Sequence, residues 1–535
     1  MAKTLYLTTP LYYVNAAPHI GHSYTEVAAD CLARYHRLKG EPVFLLTGTD
    51  EHGQKIEQAA TAAGKTPQAF VDGVVQHFKT LWTTLNIRYD DFIRTTEPRH
   101  VEAVQQILVK LREAGSLERS SYQGWYCTPD ETFWTEAELG GTATTGKPLC
   151  PSCQRPLDPV REEGWHLPLR AHQDWLKQFI KTHPRFIRPE SRYNELTSLL
   201  EQPLPESLCI TRPRSRVKWG IPVPFDPEHV VYVWFDALLN YITVPGYRGE
   251  TPPSEAFCRL WPADVHFIGK DILRHHALYW PIMLHALGFS DELMPTMIFA
   301  HGWWKIGEQK MSKSLGNIVN PTVVINEVLK GQPYAADVYR YFLLREIPFG
   351  QDGNFSEDAI FTRLSADLAN DLGNLVNRTL SMMERYGAGK IPAAGPVGCA
   401  VEDEPLRQAA VDLAGRVSAA MDRMEFSVAL EAIMDVVSGA NRYIETAAPW
   451  KLAKQPDLAP RLQTVLHALA EVIRIVAITL DPFMPSVADA IWQQMGHGTT
   501  PRRFADAAQW TGVKSGQAIG PHPVLFPRVE KTTST

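Results

Sequence analysis

The sequence predicts an α/β domain with a parallel sheet, interrupted by an insertion and followed by an α-helical bundle. Short apolar runs alternate with helical patterns at the start of the chain, which is typical of β-α-β units. A stretch with clustered cysteines breaks this pattern, and after about Glu357 nearly every segment has helical periodicity. With 535 residues, of which 44% are hydrophobic and 21% charged, the chain has the composition of a globular protein with two to four domains.

The first domain is expected to begin with a strand at Thr4–Thr9 and a helix from Ser23 to Lys39. Pro42–Leu46 is a continuous apolar run of the kind found in strands buried on both faces. We expect a polar loop, Thr47–Gly53, to leave the carboxyl end of that strand. Open α/β sheets bind their ligands at this edge.

The insertion is assigned to residues 116–210. Strand patterns at Val230–Trp234 and Val265–Gly269 indicate that the sheet domain then resumes, so it is split into residues 1–115 and 211–330. Residues 331–360 are assigned as a linking region and 361–535 as the helical domain. One apolar face of that domain repeats at helical spacing and comprises Leu462, Val465, Leu466, Leu469, Val472, Ile473 and Val476.

The net charge and the absence of targeting segments in the sequence bear on whether nucleic acids or membranes are partners. The net charge of −6 gives no overall positive field, so any nucleic-acid contact must depend on a local basic surface. Arg212, Arg214, Arg216 and Lys218 form a basic run that could lie near phosphates. We find no signal segment and no uncharged stretch of membrane-spanning length, which predicts a cytoplasmic protein without a membrane partner. The alternative is a mature organelle protein, which would have the same pattern. Seven cysteines in this length do not indicate a disulfide framework.

Pro18-His19-Ile20-Gly21-His22 stands between the first strand and the first helix. Backbone N–H groups at a helix start favour phosphate, and Gly21 would let a nucleotide approach the backbone closely. His19 and His22 could donate hydrogen bonds to phosphate oxygens. The alternative is a pair of surface histidines that cap the helix.

Lys310-Met311-Ser312-Lys313-Ser314-Leu315-Gly316-Asn317 suits a loop that closes on a polyphosphate. Taken alone, a short basic loop could equally be a solvated surface turn. The two motifs together, in this order and at the two ends of an interrupted α/β domain, are much more specific than either one.

The pair resembles the HIGH and KMSKS signatures of the class I aminoacyl-tRNA synthetases. The resemblance implies a Rossmann-type catalytic domain that binds ATP with Mg²⁺, in which Lys313 stabilises the transition state of adenylate formation by positioning and electrostatics. It implies catalytic roles for His19, His22, Lys310 and Lys313. The implied ATP-binding residues are His19, Gly21, His22, Lys310, Ser312, Lys313 and Ser314.

The flanking segments resemble the methionine-specific members, the methionyl-tRNA synthetases. These segments are Thr9–Asn15, Thr47–Gly53, Tyr232–Tyr241 and Phe267–Trp280. The resemblance implies that Asp50 holds the substrate α-ammonium, and aromatic walls with one polar group suit a thioether. The implied methionine-binding residues are Leu11, Tyr13, Asp50, Trp234, Ala237, Leu238, Tyr241, Ile272, His276 and Trp280.

Details of this pocket stay open. Tyr13 and His276 are the candidates for the polar group near sulfur. Leu238 departs from the proline that some relatives carry, and Trp280 could instead be an ordinary core residue.

The cysteine cluster pairs Cys127-Thr-Pro-Asp130 with Cys150-Pro-Ser-Cys153. Two such turns facing each other would supply three thiolates and one carboxylate in tetrahedral geometry, which predicts one structural Zn²⁺. Many family members have four cysteines in this insertion, whereas others have lost the metal, and Asp130 is a departure from the four-cysteine pattern. The alternative is a zinc-free knuckle held by packing.

The helical half resembles the family's anticodon-binding bundle. Asn374, Arg378 and Trp450 lie in the two segments that match it, and Asn441-Arg442-Tyr443 precedes the tryptophan. An exposed tryptophan can stack on an unpaired base, and Asn and Arg can bond base edges. The alternatives are a buried bundle aromatic and a solvated helix charge.

The resemblance covers the chain to about Val524–Pro527 and implies a methionine–tRNA ligase of protein biosynthesis. Its substrates would be L-methionine, ATP and the initiator and elongator tRNA(Met). We expect a monomer, since no further dimerisation domain is seen. Leucyl-, isoleucyl- and valyl-type members need a larger insertion, and a cysteinyl member would place zinc at the pocket. A small-molecule nucleotidyltransferase would not need the bundle, and a non-enzymatic tRNA-binding protein would not need His19, His22 and Lys313.

Overall fold

The computed structural model describes residues 3–139, 141–142, 146–151, 153–307, 309–310, 318–393 and 403–528. The chain divides into two compact units. One consists of residues 1–18, 43–80 and 89–302, and the other of residues 19–42, 81–88 and 303–535. The segment that carries His19 and His22 is therefore part of the same unit as the helical half of the chain.

The bounds of the elements are as follows. The strands are β1 Leu5–Thr8, β2 Tyr12–Tyr13, β3 Val43–Asp50, β4 Asp91–Arg94, β5 Glu118–Cys127, β6 Thr132–Trp134, β7 Asp158–Pro168, β8 Ile187–Arg188, β9 Ser207–Cys209, β10 Thr211–Pro213, β11 Pro222–Val223, β12 Asp226–Val231, β13 Val265–Gly269, β14 Ile298–His301, β15 Trp304–Ile306, β16 Gln309–Lys310 and β17 Gly353–Asn354. The α-helices are α1 Ile20–Leu38, α2 Gln54–Ala62, α3 Pro67–Thr84, α4 Pro98–Glu113, α5 Gln173–Thr182, α6 Glu190–Leu200, α7 Val233–Thr243, α8 Glu255–Cys258, α9 Trp280–Ala286, α10 Pro321–Val323, α11 Ala335–Arg345, α12 Glu357–Arg363, α13 Asn374–Tyr386, α14 Asp403–Met421, α15 Phe426–Ala447, α16 Pro449–Leu452, α17 Ala459–Leu480 and α18 Pro485–Gln494. Wider, π-helical turns occur at His275–Tyr279, Val324–Val328 and Leu364–Gly373.

A seven-stranded sheet organises the first unit, with the order β2-β3-β1-β13-β14-β8 and β4 also paired to β3. Every pairing in it is parallel. The predicted α/β class and the strands at β1 and β13 are confirmed. The inserted segment contributes β8 to this sheet, which the sequence did not predict because two residues carry no recognisable period.

Two predicted segments differ from the structure. Thr47–Asp50 is not loop, because β3 continues to Asp50. Thr47 and Thr49 are buried there with their hydroxyls satisfied: Thr9 donates to Thr47 Oγ1 at 2.9 Å, and Thr49 donates to Glu51 Oε1 at 2.7 Å. β-Branched threonine is well suited to a strand once its hydroxyl has a partner.

The second difference concerns Val230–Trp234. The strand β12 ends at Val231, lies in a separate antiparallel sheet with β10 and β11, and is followed by α7 from Val233. A short apolar run does not distinguish a buried strand from a buried helix, which is why the pattern was misleading.

The helical half belongs to the second unit. In α17 every residue from Thr464 to Leu480 is buried, so this helix is enclosed on all sides instead of presenting one apolar face. The segment Pro456–Leu480 is also long and apolar enough to cross a membrane by length and composition, but 94% of its most apolar window is buried within the fold.

A buried ionic network fixes α1 within the second unit. Arg340 is fully buried and donates to the carbonyls of Leu85, Pro482 and Phe483 at 2.9–3.1 Å. It also pairs with Asp30 of α1 at 2.8 Å. Burial opposes ionisation of Asp30, but Arg34 and Arg340 outweigh it and lower its pKa. The network therefore holds the helix that begins with the His19 motif.

We predict that Arg340→Ala lowers the thermal midpoint of the second unit, at a cost of about 3–5 kcal/mol, because Asp30 loses a buried cation and three carbonyls lose their donor. Thermal unfolding followed by circular dichroism measures the effect. Arg416→Ala is the matched control, since its partner Asp435 is exposed and such pairs contribute little. A midpoint equal to that of the control would contradict this account.

Candidate functional site

The parallel sheet brings polar residues to one edge. Asp50 ends β3, Gly269 ends β13 and His301 ends β14, and the carboxyl ends of parallel strands meet at the same edge. The predicted pocket residues Tyr13 and Ile272 belong to this region, on β2 and on the short turn after β13.

Asp50 is a buried carboxylate that has no counter-cation in the described part of the chain. It is 6% exposed, and its Oδ1 has no hydrogen-bond partner among the described residues. Burial, followed by the charges of Asp236 and Glu131, raises the pKa of Asp50 well above its usual value. A site that leaves one carboxylate oxygen buried and unsatisfied is suited to a cationic ligand.

The neighbouring acidic residues are already paired. Arg94 binds Glu51 through two bonds of 2.7 and 2.9 Å. His52 and His100 each lie 2.7 Å from a different oxygen of Asp236. Unlike Glu51 and Asp236, Asp50 has a carboxylate oxygen without a partner among the described residues.

The deepest part of the predicted pocket is aromatic and electrically neutral. Trp280, Tyr241 and His276 are buried, and the Tyr241 and Trp280 ring centroids are 5.7 Å apart. His276 Nδ1 donates to the Ile272 carbonyl at 3.0 Å, and its Nε2 accepts from the Tyr241 hydroxyl at 2.8 Å. Burial lowers the pKa of His276 to about 4, so the imidazole is uncharged at neutral pH.

Hydrogen bonds hold both candidates for the polar group near sulfur. The Tyr13 hydroxyl donates to the His52 carbonyl at 2.7 Å, and both nitrogens of His276 are engaged. Trp280 Nε1 points to His266 Nε2 at 3.3 Å. The remaining predicted residues line or adjoin the same apolar core, with Ala237 and Leu238 buried on α7 and Leu11 and Ile272 half-buried.

The prediction missed His275. Its ring is buried and stacks on half-buried Trp234 at 3.7 Å, and neither ring nitrogen has a partner among the described residues. The π-helical turn His275–Tyr279 allows two consecutive histidines to face inward, and such turns are common at functional sites. The available signal in the sequence was the His275-His276 pair inside the matched segment Phe267–Trp280.

The prediction also missed Glu131, which joins the cysteine knuckle to the pocket. It is buried with a left-handed backbone, at φ +50°. Its Oε1 accepts from the Lys55 amide at 2.8 Å and from the Tyr13 hydroxyl at 3.3 Å, and Oε2 accepts from Tyr126. The preceding residue, Asp130, accepts from Trp234 Nε1 through its carbonyl at 3.3 Å. Two pocket walls therefore depend on the knuckle segment.

The four predicted metal ligands come together. The ligand atoms of Cys127, Asp130, Cys150 and Cys153 all lie within 4.8 Å of one another. Cys127 Sγ is 3.4 Å from Cys153 Sγ, and Cys150 Sγ is 3.4 Å from Asp130 Oδ2. Hydrogen bonding with Cys150 and Cys153, together with burial, raises the pKa of the Cys127 thiol. The spacing matches the roughly 3.8 Å expected between sulfurs bound tetrahedrally at about 2.3 Å, so the residues can hold a metal ion.

In the second unit, His19 and His22 cap α1, as the alternative interpretation expected. His19 Nδ1 accepts from the Gly21 amide and His22 Nδ1 accepts from the His19 amide, both at 3.1 Å. Because each Nδ1 is an acceptor, each neutral ring carries its proton on Nε2. The capping bonds therefore orient both imidazole rings and place the N–H group of each at Nε2. A Cβ on Gly21 would lie 2.9 Å from His19 Cε1, so any side chain at this position would displace the capping His19 ring.

The second motif is described only at its start. The backbone of Lys310 pairs with Lys305 in the β15–β16 hairpin. Ser312, Lys313 and Ser314 lie outside the described residues.

The predicted RNA-contacting residues form a cluster in the second unit. The Arg378 guanidinium lies 5.7 Å from the Trp450 ring centroid and pairs with Glu445 at 2.7 Å. Asn374 lies one turn before Arg378 on α13 and donates to Asn441 at 3.1 Å. Trp450 is half-buried, so it is not a fully buried core residue of the bundle.

Arg212 is not available to phosphates. It is 3% exposed, binds Glu162 through bonds of 2.8 and 3.1 Å and lies over the Tyr126 ring. A buried acidic partner, invisible in the local sequence, explains the error. Arg214, Arg216 and Lys218 are exposed.

Comparison with known proteins identifies two families along the chain. The family described as class I tRNA synthetases (M) matches residues 5–380, and the anticodon-binding domain of tRNA ligases matches residues 406–515. A methionine–tRNA ligase of Caldanaerobacter subterraneus is 47% identical over 99% of this chain and 80% of its own length. One from Clostridium acetobutylicum is 44% identical over 99% and 78%. A solved Mycobacterium tuberculosis methionyl-tRNA synthetase in complex with methionyl-adenylate is 40% identical, with a TM-score of 0.92 over 98% of this chain and 100% of that chain.

Because one oxygen of the buried Asp50 carboxylate has no partner among the described residues, we predict that replacing Asp50 by a neutral residue stabilises the fold in a pH-dependent way. A carboxyl group whose folded-state pKa is raised destabilises the fold above its unfolded pKa of about 3.9. We expect Asp50→Asn to raise the thermal midpoint by about 2 °C or more at pH 8, and this gain to shrink towards pH 4. Differential scanning calorimetry across that range measures it. Asp158→Asn, at an exposed surface ion pair, is the control. A lower midpoint for Asp50→Asn at pH 8 would contradict the assignment.

Proposed function

We propose a residue-level mechanism for this chain, which belongs to the class I methionyl-tRNA synthetases. The activity is methionine–tRNA ligation. A carboxylate oxygen of methionine bonds to the α-phosphorus of ATP while the bond to pyrophosphate breaks, and the methionyl group of the adenylate then passes to tRNA with release of AMP. The observation that carries the pocket assignment is the buried, unpartnered Oδ1 of Asp50.

In the proposed amino-acid pocket, Asp50 binds the α-ammonium of methionine. This supplies the cation that the buried carboxylate lacks. The side chain lies among Trp234, Tyr241 and Trp280, with Leu11, Tyr13, Ala237, Leu238, Ile272 and His276 completing the walls. An uncharged His276 supports this proposal, because an imidazolium would be incompatible with a thioether in an apolar cavity.

In the proposed nucleotide site, the Nε2–H groups of His19 and His22 donate to phosphate oxygens, assisted by the N-terminus of α1. Lys310, Ser312, Lys313 and Ser314 complete it, with Lys313 neutralising charge that develops as pyrophosphate leaves. Mg²⁺ bound to ATP would supply further charge neutralisation. Because His19 and His22 are already oriented by backbone amides, little reorganisation is needed as that charge develops.

We predict that Asp50→Asn raises the KM for methionine about a hundredfold, because losing a charge-assisted bond costs about 2–3 kcal/mol. The KM for ATP should change less than threefold. Methionine-dependent exchange of pyrophosphate into ATP measures both constants, with Asp158→Asn as the control. An unchanged methionine KM would show that the ammonium is bound elsewhere.

We propose that the knuckle holds one structural Zn²⁺ through Cys127, Asp130, Cys150 and Cys153. The donor set supports zinc, since three thiolates and a carboxylate fill a tetrahedral site and leave no open position for catalysis. A second argument is position: Pro129, Asp130 and Glu131 bond to Lys55, Trp234 and Tyr13 of the pocket region.

Elemental analysis of dialysed protein is expected to find one zinc per chain. Cys153→Ser should lose it, and Asp130→Cys should retain it because four thiolates also bind zinc well. Cys258→Ser, at an exposed cysteine, is the control. If dialysed wild-type protein contains no zinc, the proposal is wrong and the knuckle is held by packing alone.

We propose that the helical bundle reads the anticodon of initiator and elongator tRNA(Met) through Asn374, Arg378 and Trp450. Arg378 covers one face of the Trp450 ring, and the half-exposed remainder offers a stacking surface to an unpaired base. The anticodon-domain match at residues 406–515 includes Trp450 and supports this assignment.

Trp450→Ala is expected to leave methionine-dependent exchange unchanged and to lower kcat/KM for aminoacylation about 10- to 100-fold, the effect of losing one base stack. Tyr386→Ala is the matched control, because Tyr386 is a half-exposed aromatic of the same bundle that also has an arginine beside its ring. Equal losses in the exchange and aminoacylation assays would count against an anticodon role. The domain boundaries, the monomeric state and the cytoplasmic location stay predictions.

A further inference from the structure

A chain of three polar side chains crosses the helical bundle. Asp371, on the π-helical turn before α13, accepts from Ser438 through Oδ2 and from Asn441 Nδ2 through Oδ1 at 2.6 Å. The same Asn441 Nδ2 also donates to the Asp371 carbonyl at 3.0 Å. Asn441 Oδ1 in turn accepts from Asn374 Nδ2 at 3.1 Å.

The two acceptors of Asp371, its carboxylate and its main-chain carbonyl, fix the direction of every bond in this chain. A carboxylate can only accept, so the amide of Asn441 must turn its NH₂ group towards Asp371. Its oxygen then faces Asn374, which must donate to it through its own NH₂ group. The two ends of a carboxamide are alike in shape and differ only in hydrogen bonding, so nothing but these partners sets their orientation.

These bonds orient the Asn374 side chain so that its Oδ1 can act as an acceptor. With its NH₂ group turned to Asn441, its Oδ1 is the end left over, and this oxygen accepts no hydrogen bond from the described residues. Asn374 is half-buried and precedes Arg378 by four residues on α13, so both lie on one helix face. Arg378 lies beside Trp450, the proposed stacking surface.

We propose that Asp371 is a positioning residue for anticodon reading, an inference that rests on the proposed role of the bundle. Through Asn441 it holds Asn374 with its oxygen towards the RNA, where the oxygen accepts from the exocyclic amine of an anticodon base. Cytosine and adenine present such an amine, whereas uracil and guanine present a carbonyl oxygen at the corresponding position. The methionine anticodon CAU has an amine at its first and second bases.

Asp371→Asn tests this directly. An amide at position 371 can present either end and removes the charged acceptor, so that among the contacts of Asn441 with residue 371 only the main-chain carbonyl still holds its NH₂ group. The orientation of Asn441, and then of Asn374, is weakened, and a reversed Asn374 that offers NH₂ to a base carbonyl becomes accessible. Aminoacylation kcat/KM is measured with transcripts carrying CAU, UAU (first base changed) and CGU (second base changed). The preference is the ratio of kcat/KM for the CAU transcript to kcat/KM for an altered transcript. We expect this ratio to fall about tenfold for one of the two altered transcripts, UAU or CGU, with methionine-dependent exchange unchanged. Asp435→Asn, an exposed aspartate of α15, is the matched control and should keep the wild-type preference.

Asn441→Leu breaks the chain at its middle and should produce the same loss of preference, which keeps the test valid if Asp371→Asn folds poorly. A purely structural role would lower all three transcripts together. Preferences within twofold of wild type in both variants would overturn the inference.

Trp450→Ala separates the anticodon role of the bundle from the positioning role of Asp371. If it cripples charging of the CAU transcript while the preferences of both variants stay unchanged, the bundle reads the anticodon but Asp371 does not orient Asn374. If Trp450→Ala has no effect, the anticodon role itself fails, and this inference fails with it.

Discussion

The parallel pairing of β3 with β1 and β2 fixes Asp50 at the carboxyl edge of the sheet, where it is buried and no described residue supplies a cation. Other acids at this edge find partners: Glu51 has Arg94, and Asp236 has two histidines. A buried carboxylate without a cation costs folding free energy, and in the proposed pocket the ammonium of methionine would recover it. If Asp50 binds the ammonium as proposed, the stability of the fold and the specificity for an amino acid depend on the same carboxylate.

Hydrogen bonds orient several side chains of the proposed methionine pocket. Tyr241, His276 and Ile272 form one chain of bonds, and Trp280 is held by His266. In the proposed pocket, such a neutral, pre-oriented wall would select a long thioether side chain by shape and polarizability. The knuckle takes part in this order, since the segment that supplies Asp130 to the metal set continues into Glu131 and so to Tyr13.

The motifs were predictable because each is short, contiguous and chemically unusual. Cys127, Asp130, Cys150 and Cys153 come together as their spacing predicted, and Asp50 ends its strand at the sheet edge where a ligand site was expected. The role of Asp50 follows from the family resemblance and stays a prediction. The errors occurred where a tertiary partner decides the outcome. Thr47 and Thr49 are strand residues because other side chains satisfy their hydroxyls, and Arg212 is buried because Glu162 neutralises it.

Other features leave almost no signal in a single sequence. The two-residue strand β8 depends on its neighbour β14, and the inward position of His275 depends on one wide helical turn. The Asp371–Asn441–Asn374 chain joins residues about 70 positions apart, and its direction follows from a charge that the local pattern around Asn374 does not contain.

The central claim is that this site activates methionine and no other amino acid. The most direct measurement is the exchange of radiolabelled pyrophosphate into ATP with each amino acid in turn, for the wild type and for Lys313→Ala. We expect exchange with methionine alone, lost in the variant because the charge on the departing pyrophosphate is no longer neutralised. Exchange driven by a different amino acid would contradict the pocket assignment, and its absence with every amino acid would contradict the claim that this site activates methionine.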